Sequence, residues 1–395
     1  MIFSRKVAAS KSNLFTLLFA VAFTFVANFL LLERAQAFPE MVRSGYTNCT
    51  SCHVSPTGGG LLTDYGRNLS SEVLSTWGNA QEAQIAHGIF GPKPEEKEEV
   101  NHWLGIGGDV RAVQTRYEND FVKVGRFIWM QAMLDVGYRL GSWTGVMSIG
   151  KFDNKGEGTW SPYSERFYLM KQLDDANLIR VGRFIPAFGL NLPDHISSTR
   201  GGPRRNGLGF GISQERDAAE WHYIGENWNT ALGFSEGPRD NITPFEQSIY
   251  GQVQRAFLEH YKVGMSLWSG HGKDSQRQIA AVHGLFGFTP HFYLVSELDA
   301  QILHNNGDSG PNQLGLFGDH KLGWEFYKGM HVFALLDHLK ADSRFENQFS
   351  RRIGGGLQFF PRPHFEILGA WTKELVKSDS NKEGDYAWLL LHYYI

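Results

Sequence analysis

The chain has 395 residues, more than one average domain. Its formal net charge of −3 speaks against a nucleic acid as partner, because that role requires a clustered basic surface. Forty-five glycines, 14% aromatic residues and a mean hydropathy of −0.30 suit a β-barrel with one lipid face and one wet face.

The first element is basic and then apolar. Arg5, Lys6 and Lys11 precede the run Leu14 to Leu32, and Ala35-Gln36-Ala37 follows as a small-residue cleavage site. That order predicts a secretory signal peptide over residues 1–37. The run is long for such a segment, so an uncleaved membrane anchor is the rival reading. No second run of this kind occurs, and no further transmembrane helix is expected. Cleavage after Ala37 removes Arg5, Lys6, Lys11, Arg34 and one acid, Glu33, so the mature chain is more negative still.

Residues 38–91 form the next unit, and they hold both cysteines of the chain, Cys49 and Cys52. Cys49-Thr50-Ser51-Cys52-His53 is a C-x-x-C-H sequence, the attachment signature of a c-type haem. Two thiols on one short turn can add to the two haem vinyl groups as thioethers, and the adjacent histidine is then held under the iron as proximal ligand. Attachment of this kind follows export, so leader and motif support each other. The other readings of the motif are a zinc site, a redox pair and chance. A zinc site lacks nearby ligands, since the next histidine is His87, and a redox pair lacks a βαβ context. The following turn, Val54 to Gly60, can pass close to a flat ligand. Leu61, Leu62 and Tyr65 then offer apolar contacts, either to haem or to an ordinary small core. Candidates for the distal haem ligand are Met41, His87 and His102, beside an open or water-ligated site; for each the plain alternative is a packing or solvated residue. Residues 92–101 begin PKPEEKEE and read as a charged linker.

From residue 102 to 395, short segments of alternating character recur. Phe292, Leu294, Leu298, Ala300 and Ile302 share one face, and Tyr293, Glu297, Asp299 and Gln301 the other. Ile128, Met130, Ala132, Leu134, Val136 and Tyr138 likewise alternate with Gln131, Asp135 and Arg139. This period predicts an all-β, transmembrane antiparallel β-barrel of about 16 strands. The expected spans are about 102–116, 126–138, 143–151, 164–171, 178–184, 217–224, 229–234, 248–257, 262–268, 277–287, 291–301, 313–326, 331–338, 350–359, 364–372 and 385–395. Long polar connections such as YENDFVKVG, FDNKGEGTWSPY and SGHGKDSQ alternate with short ones such as RLGS, GENW, FTPH and YKGM. Short periplasmic turns against longer outer loops are the rule of outer-membrane barrels, and an even strand number puts both termini in the periplasm. Leu389, Leu391, Tyr393 and Ile395 share a face at the C-terminus and resemble the terminal signal of such barrels, with Ile395 where Phe is usual. A soluble β-sandwich is the rival fold. The longest connection, Ile185 to Arg216, is the counterpart of the porin loop that folds inward; it carries Asp194, His195, Arg200, Arg204, Arg205, Glu215 and Arg216.

Haem segment plus barrel resembles the fused outer-membrane mono-haem cytochrome c–porins, a group that includes iron-oxidising cytochromes. The motif likeness lies in Ala37 to His53, AFPEMVRSGYTNCTSCH, set against A-x-P-x-F-A-R-Q-T-G-x-x-C-x-x-C-H. Ala37, Pro39, Arg43, Gly45, Cys49, Cys52 and His53 have counterparts. Met41 stands in place of Phe, Ser44 in place of a Gln-Thr pair, and the gap from Gly45 to Cys49 is one residue longer. The resemblance implies one covalent haem c and electron transfer across the outer membrane, between a periplasmic cytochrome or other carrier and an extracellular donor or acceptor. Oxidation of Fe(II) is its sharpest form. Inward carboxylates such as Glu297, Asp299 and Asp319 would attract cations, though lumen charge is ordinary in porins. The alternative function is a diffusion porin or transporter whose haem segment is a plug or redox-sensitive gate.

Overall fold

The computed structural model describes residues 39–78, 102–152, 161–192, 197–201, 207–210, 214–238, 245–306, 312–346, 348–377 and 382–395. The expected leader (1–37), His87, the linker 92–101, and Asp194, His195, Arg204 and Arg205 lie outside them.

Among the described residues, sixteen antiparallel strands close into a barrel, each paired with its neighbours in the chain and the last with the first. They are β1 (His102–Asn119), β2 (Lys123–Leu140), β3 (Trp143–Phe152), β4 (Ser161–Gln172), β5 (Asn177–Phe184) and β6 (Arg216–Ile224). Then follow β7 (Trp228–Gly237), β8 (Glu246–Phe257), β9 (Tyr261–Gly272), β10 (Ser275–Gly287) and β11 (Phe292–Asn305). The wall is completed by β12 (Gln313–Tyr327), β13 (Met330–Lys340), β14 (Phe349–Arg362), β15 (Phe365–Lys377) and β16 (Lys382–Tyr394).

Each expected span falls on one of these strands, but several strands run further at the end of the long connections. YENDFVKVG shrinks to residues 120–122, and SGHGKDSQ to residues 273–274. Ladder pairing needs no apolar face, so strands continue past the apolar band until a turn closes them. At the first of these turns the Asn119 side chain accepts hydrogen bonds from the backbone of Phe121 and Val122, at 2.9 and 2.7 Å.

Burial is inverted relative to a soluble protein. Leu232, Ile249, Leu267 and Leu357 stand on the outside, with Ile249 69% exposed, whereas Ser148, Glu220, Ser235, Ser266, Glu297 and Thr372 point inward and are buried. Only an apolar medium makes the outer surface favourable. Exposed aromatics gather where the short connections lie: Tyr138, Trp143, Tyr223, Trp228, Phe292, Trp324 and Tyr327. This is the girdle of a membrane interface. On β11 the faces are as the alternation predicts, with Phe292, Leu298 and Ile302 exposed and Tyr293, Glu297 and Asp299 buried. On β2 the expectation needs correction. The register shifts so that Arg111 faces Gln131 and Ala112 faces Trp129. Met130 is the extra residue of this bulge, and the faces exchange there. Phe127 and Trp129 therefore face out, while Ile128 and Met130 line the lumen instead of sharing the face of Leu134 and Tyr138. At the C-terminus, Leu389, Leu391 and Tyr393 face out, but the strand ends at Tyr394 and Ile395 lines the lumen.

The lumen is filled from both ends. The connection between β5 and β6 folds inward: its Phe188, Leu208 and Phe210 pack with Tyr250, Trp268, Ile279 and Phe317 of the wall. Its Arg200 pairs with Glu297, and Ser198 N donates to Asp337 Oδ2 at 2.6 Å. At the short-connection end sit residues 39–78. Arg43 pairs with Glu325 at 2.5 Å, Thr76 N donates to the Phe360 carbonyl at 2.8 Å, and Lys262 Nζ donates to the Thr47 carbonyl at 2.6 Å. Gly287 makes room for this docking, since a Cβ there would collide with the Arg43 backbone.

Candidate functional site

Cys49 opens a short 3-10 turn, Cys49–Ser51, which brings the motif onto one curve of chain. Cys52 N and His53 N both donate to the Cys49 carbonyl, at 3.2 and 2.9 Å. The chain then doubles back. Val54 N donates to the Leu61 carbonyl at 3.0 Å, Thr63 N donates to the Cys52 carbonyl at 2.9 Å, and His53 and Leu62 form an antiparallel bridge. Helix α1 (Asp64–Leu69) follows, capped by Thr63 Oγ1, which accepts from Gly66 N at 3.0 Å.

The turn between the two arms is Ser55 to Gly60. Gly58, Gly59 and Gly60 all take positive φ, at 80°, 70° and 63°, which side chains rarely adopt. A Cβ on Gly58 would stand 3.6 Å from Cys49 Sγ and 3.9 Å from His53 Cδ2. Gly58 is thus the glycine of the turn that borders the thiol and the imidazole. Arg166 of β4 closes over Gly59 and Gly60. Ser55 and Thr57 are bonded to Arg180 of β5, and Thr57 also accepts through its carbonyl from Asn191 of the inward loop, at 3.4 Å. Residues 39–78, the wall and the inward loop therefore meet at this turn.

Cys49, Cys52 and His53 line a lumen cavity of about 660 Å3, within the usual range for ligand and cofactor sites. Asp109, Arg111, Arg166, His222, Lys262 and His392 are among its other walls. The two thiols form no disulfide; Cys49 is exposed and Cys52 buried. Burial, and then the neighbouring Cys49, push the Cys52 thiol up to about 12. Burial, and then Arg166, hold His53 down at about 4, against the smaller opposing effect of the Gly60 and Gly59 carbonyls. The imidazole is neutral at ordinary pH, as an iron ligand must be. His53 Nδ1 is buried without a well-formed hydrogen bond. Two free thiols, a neutral imidazole and a wide cavity suit a covalent haem. Among the described residues no group of three or more His, Cys, Asp and Glu side chains is placed to hold a bare metal ion.

The proposed distal ligands fare differently. Met41 is fully buried against Leu74 and Phe360 and is not among the cavity walls. His87 lies outside the described residues, and His102 begins β1 with its side chain outside them. Residues that do share the cavity with His53 include Met130, Met133, His222 and His392. Sequence reading missed them because they lie on strands remote in the chain; the bulge on β2 alone decides that Met130 turns inward.

Gly66 backs the motif. A Cβ there would collide with the Cys52 carbonyl and lie 2.9 Å from its Cα. Gly66→Ala is expected to cost about 1–3 kcal/mol by overpacking and to loosen the hairpin. Faster proteolysis within residues 49–66, with the barrel core intact, is the check; unchanged digestion would contradict this packing role.

A closed sixteen-strand barrel with an inward loop defines the porin fold. The structure resembles the outer membrane channel DcaP of Acinetobacter baumannii, with a TM-score of 0.57 at 10% identity over 76% of this chain and 99% of that one. It also resembles OmpT of Vibrio cholerae, at 0.58 and 10% over 75% and 99%, and an anion-selective porin from Comamonas acidovorans, at 0.57 and 10% over 74% and 100%. At such identities the likeness is one of fold. No protein-family profile and no curated protein sequence matches the chain.

Proposed function

We propose that this chain is an outer-membrane, porin-type barrel with its termini in the periplasm, and that it holds one haem c covalently inside the lumen. Cys49 and Cys52 supply the thioethers and His53 the proximal ligand. The haem supplies a one-electron couple, and the barrel passes electrons between an extracellular partner, Fe(II) in the sharpest version, and a periplasmic carrier. The observation that carries this reading is the placement of both free thiols and His53 on one lumen cavity, beneath a glycine turn that touches plug, wall and inward loop. A haem at the periplasmic surface alone could not span an apolar band of roughly 25 Å, so a lumen position is what the function needs. The resemblance of Ala37 to His53 to the cytochrome–porins points the same way.

The second reading, a diffusion porin with a haem-bearing plug, is favoured by the fold likeness to channels and porins. One experiment separates them. Haem-loaded protein in liposomes is given external Fe(II) with a sealed-in electron acceptor, and single-channel conductance is measured in parallel. A conduit reduces the acceptor, conducts poorly, and loses electron transfer on His53→Ala. Free solute conductance with no haem-dependent reduction would give the protein to the porin reading.

A further inference from the structure

Porin lumens are wet, yet this one contains a buried aromatic column. Tyr250 of β8 and Trp268 of β9 are directly opposed in register and stack with centroids 4.8 Å apart and planes at 14°. Phe210 of the inward loop sits 4.9 Å from Trp268, and Phe188 stacks on Phe210 at 4.2 Å. The column also turns toward the motif. Tyr250 OH donates to Glu220 Oε1 at 2.7 Å, and Glu220 binds His222 at 2.7 Å and Arg180 at 2.6 Å. His222 lines the cavity of Cys49 and His53, and Arg180 donates to Ser55 of the glycine turn at 3.0 Å. Tyr250 reaches Glu220 only by lying across Gly233 of the strand between them, where a Cβ would stand 2.5 Å from its hydroxyl. Tyr250 is seven residues from the short-connection end of β8. At about 3.4 Å per residue and a tilt near 45°, that is roughly 17 Å into the barrel.

We propose that Tyr250 and Trp268 are the electronic bridge between the loop mouth of the barrel and a haem held at Cys49, Cys52 and His53. The proposal rests on the haem reading above. Per event, one external donor loses one electron and one ferric haem becomes ferrous. No bond forms or breaks and no proton moves, because the electron tunnels through the rings without oxidising them. The rings replace water-filled gaps by packed π-systems along that path.

The test uses full-length, haem-loaded protein in liposomes with the loop end outward and hexaammineruthenium(II) as external donor. Trp268→Leu and Tyr250→Leu should slow haem reduction on the order of tenfold, while Trp268→Phe and Tyr250→Phe stay within about twofold of wild type. Haem spectrum and midpoint potential should not move, and in detergent, where the donor reaches haem from both ends, all variants should react alike. Trp268→Met, whose unbranched side chain adapts to an irregular gap, replaces Trp268→Leu if that variant does not insert. If external donor reduces wild type but the Leu and Met variants are equally fast, the bridge is overturned and the conduit stands. If wild type itself is not reduced from outside, the conduit reading fails, and the bridge with it.

Discussion

Replacing both Cys49 and Cys52 by alanine should abolish covalent haem. Each thioether forms when a thiol S–H adds across one haem vinyl group, and the chain has no third thiol to substitute. Cys52→Ala alone should leave a weaker attachment through Cys49, the more exposed of the two. The measurement is haem staining on a denaturing gel, with intact mass to count one haem per wild-type chain. The barrel should survive, because its sixteen ladders close on themselves without the motif. A heat-modifiable gel shift in the double variant checks that. Wild-type protein that stays unstained, from a host with a working c-haem maturation system, would sink the haem reading, and the porin alternative would then account for the fold alone.

The barrel was legible in the sequence because its signal is repeated. One strand such as Phe292 to Ile302 is weak, but the same alternation recurs in every span, punctuated by short turns such as YKGM. Strand ends were less legible, since Glu118 and Lys123 pair in the ladder while looking like loop residues. The bulge at Met130 was invisible, because an extra residue changes the phase of the alternation without changing its composition. For the candidate site, Cys49, Cys52 and His53 form a local motif and could be found by spacing. Their surroundings could not. Arg166, Lys262 and His222 reach the cavity only because the barrel closes, and closure couples strands far apart in the chain. Met41 shows the converse: proximity in sequence to Cys49 made it a ligand candidate, while the fold packs it against Leu74 and Phe360.

The inward loop supplies the other large effect. Arg200 is wholly buried, pairs with the equally buried Glu297, and donates to the Phe188 carbonyl at 3.2 Å, which pins the aromatic end of the loop. Glu297 also accepts from Leu190 N at 2.7 Å, so the same carboxylate holds both loop arms. Beside it on β11, Asp299 is buried with neither oxygen in a well-formed hydrogen bond. Arg200→Met removes the cation that this wall of carboxylates depends on. Breaking one side of a buried ion pair costs about 3–5 kcal/mol, because the remaining charge is left without compensation. The cheaper course for the protein is to let water reach Glu297, which requires the loop to lift. Single-channel conductance should therefore rise and the loop should become protease-sensitive, with the barrel still heat-modifiable. The double change Arg200→Met/Glu297→Leu should restore much of the closed state, since apolar replacement of a whole pair is often close to neutral. If Arg200→Met keeps wild-type conductance and protease resistance, the loop is held by its aromatic packing on Tyr250 and Trp268, and the ion pair is not what closes the lumen.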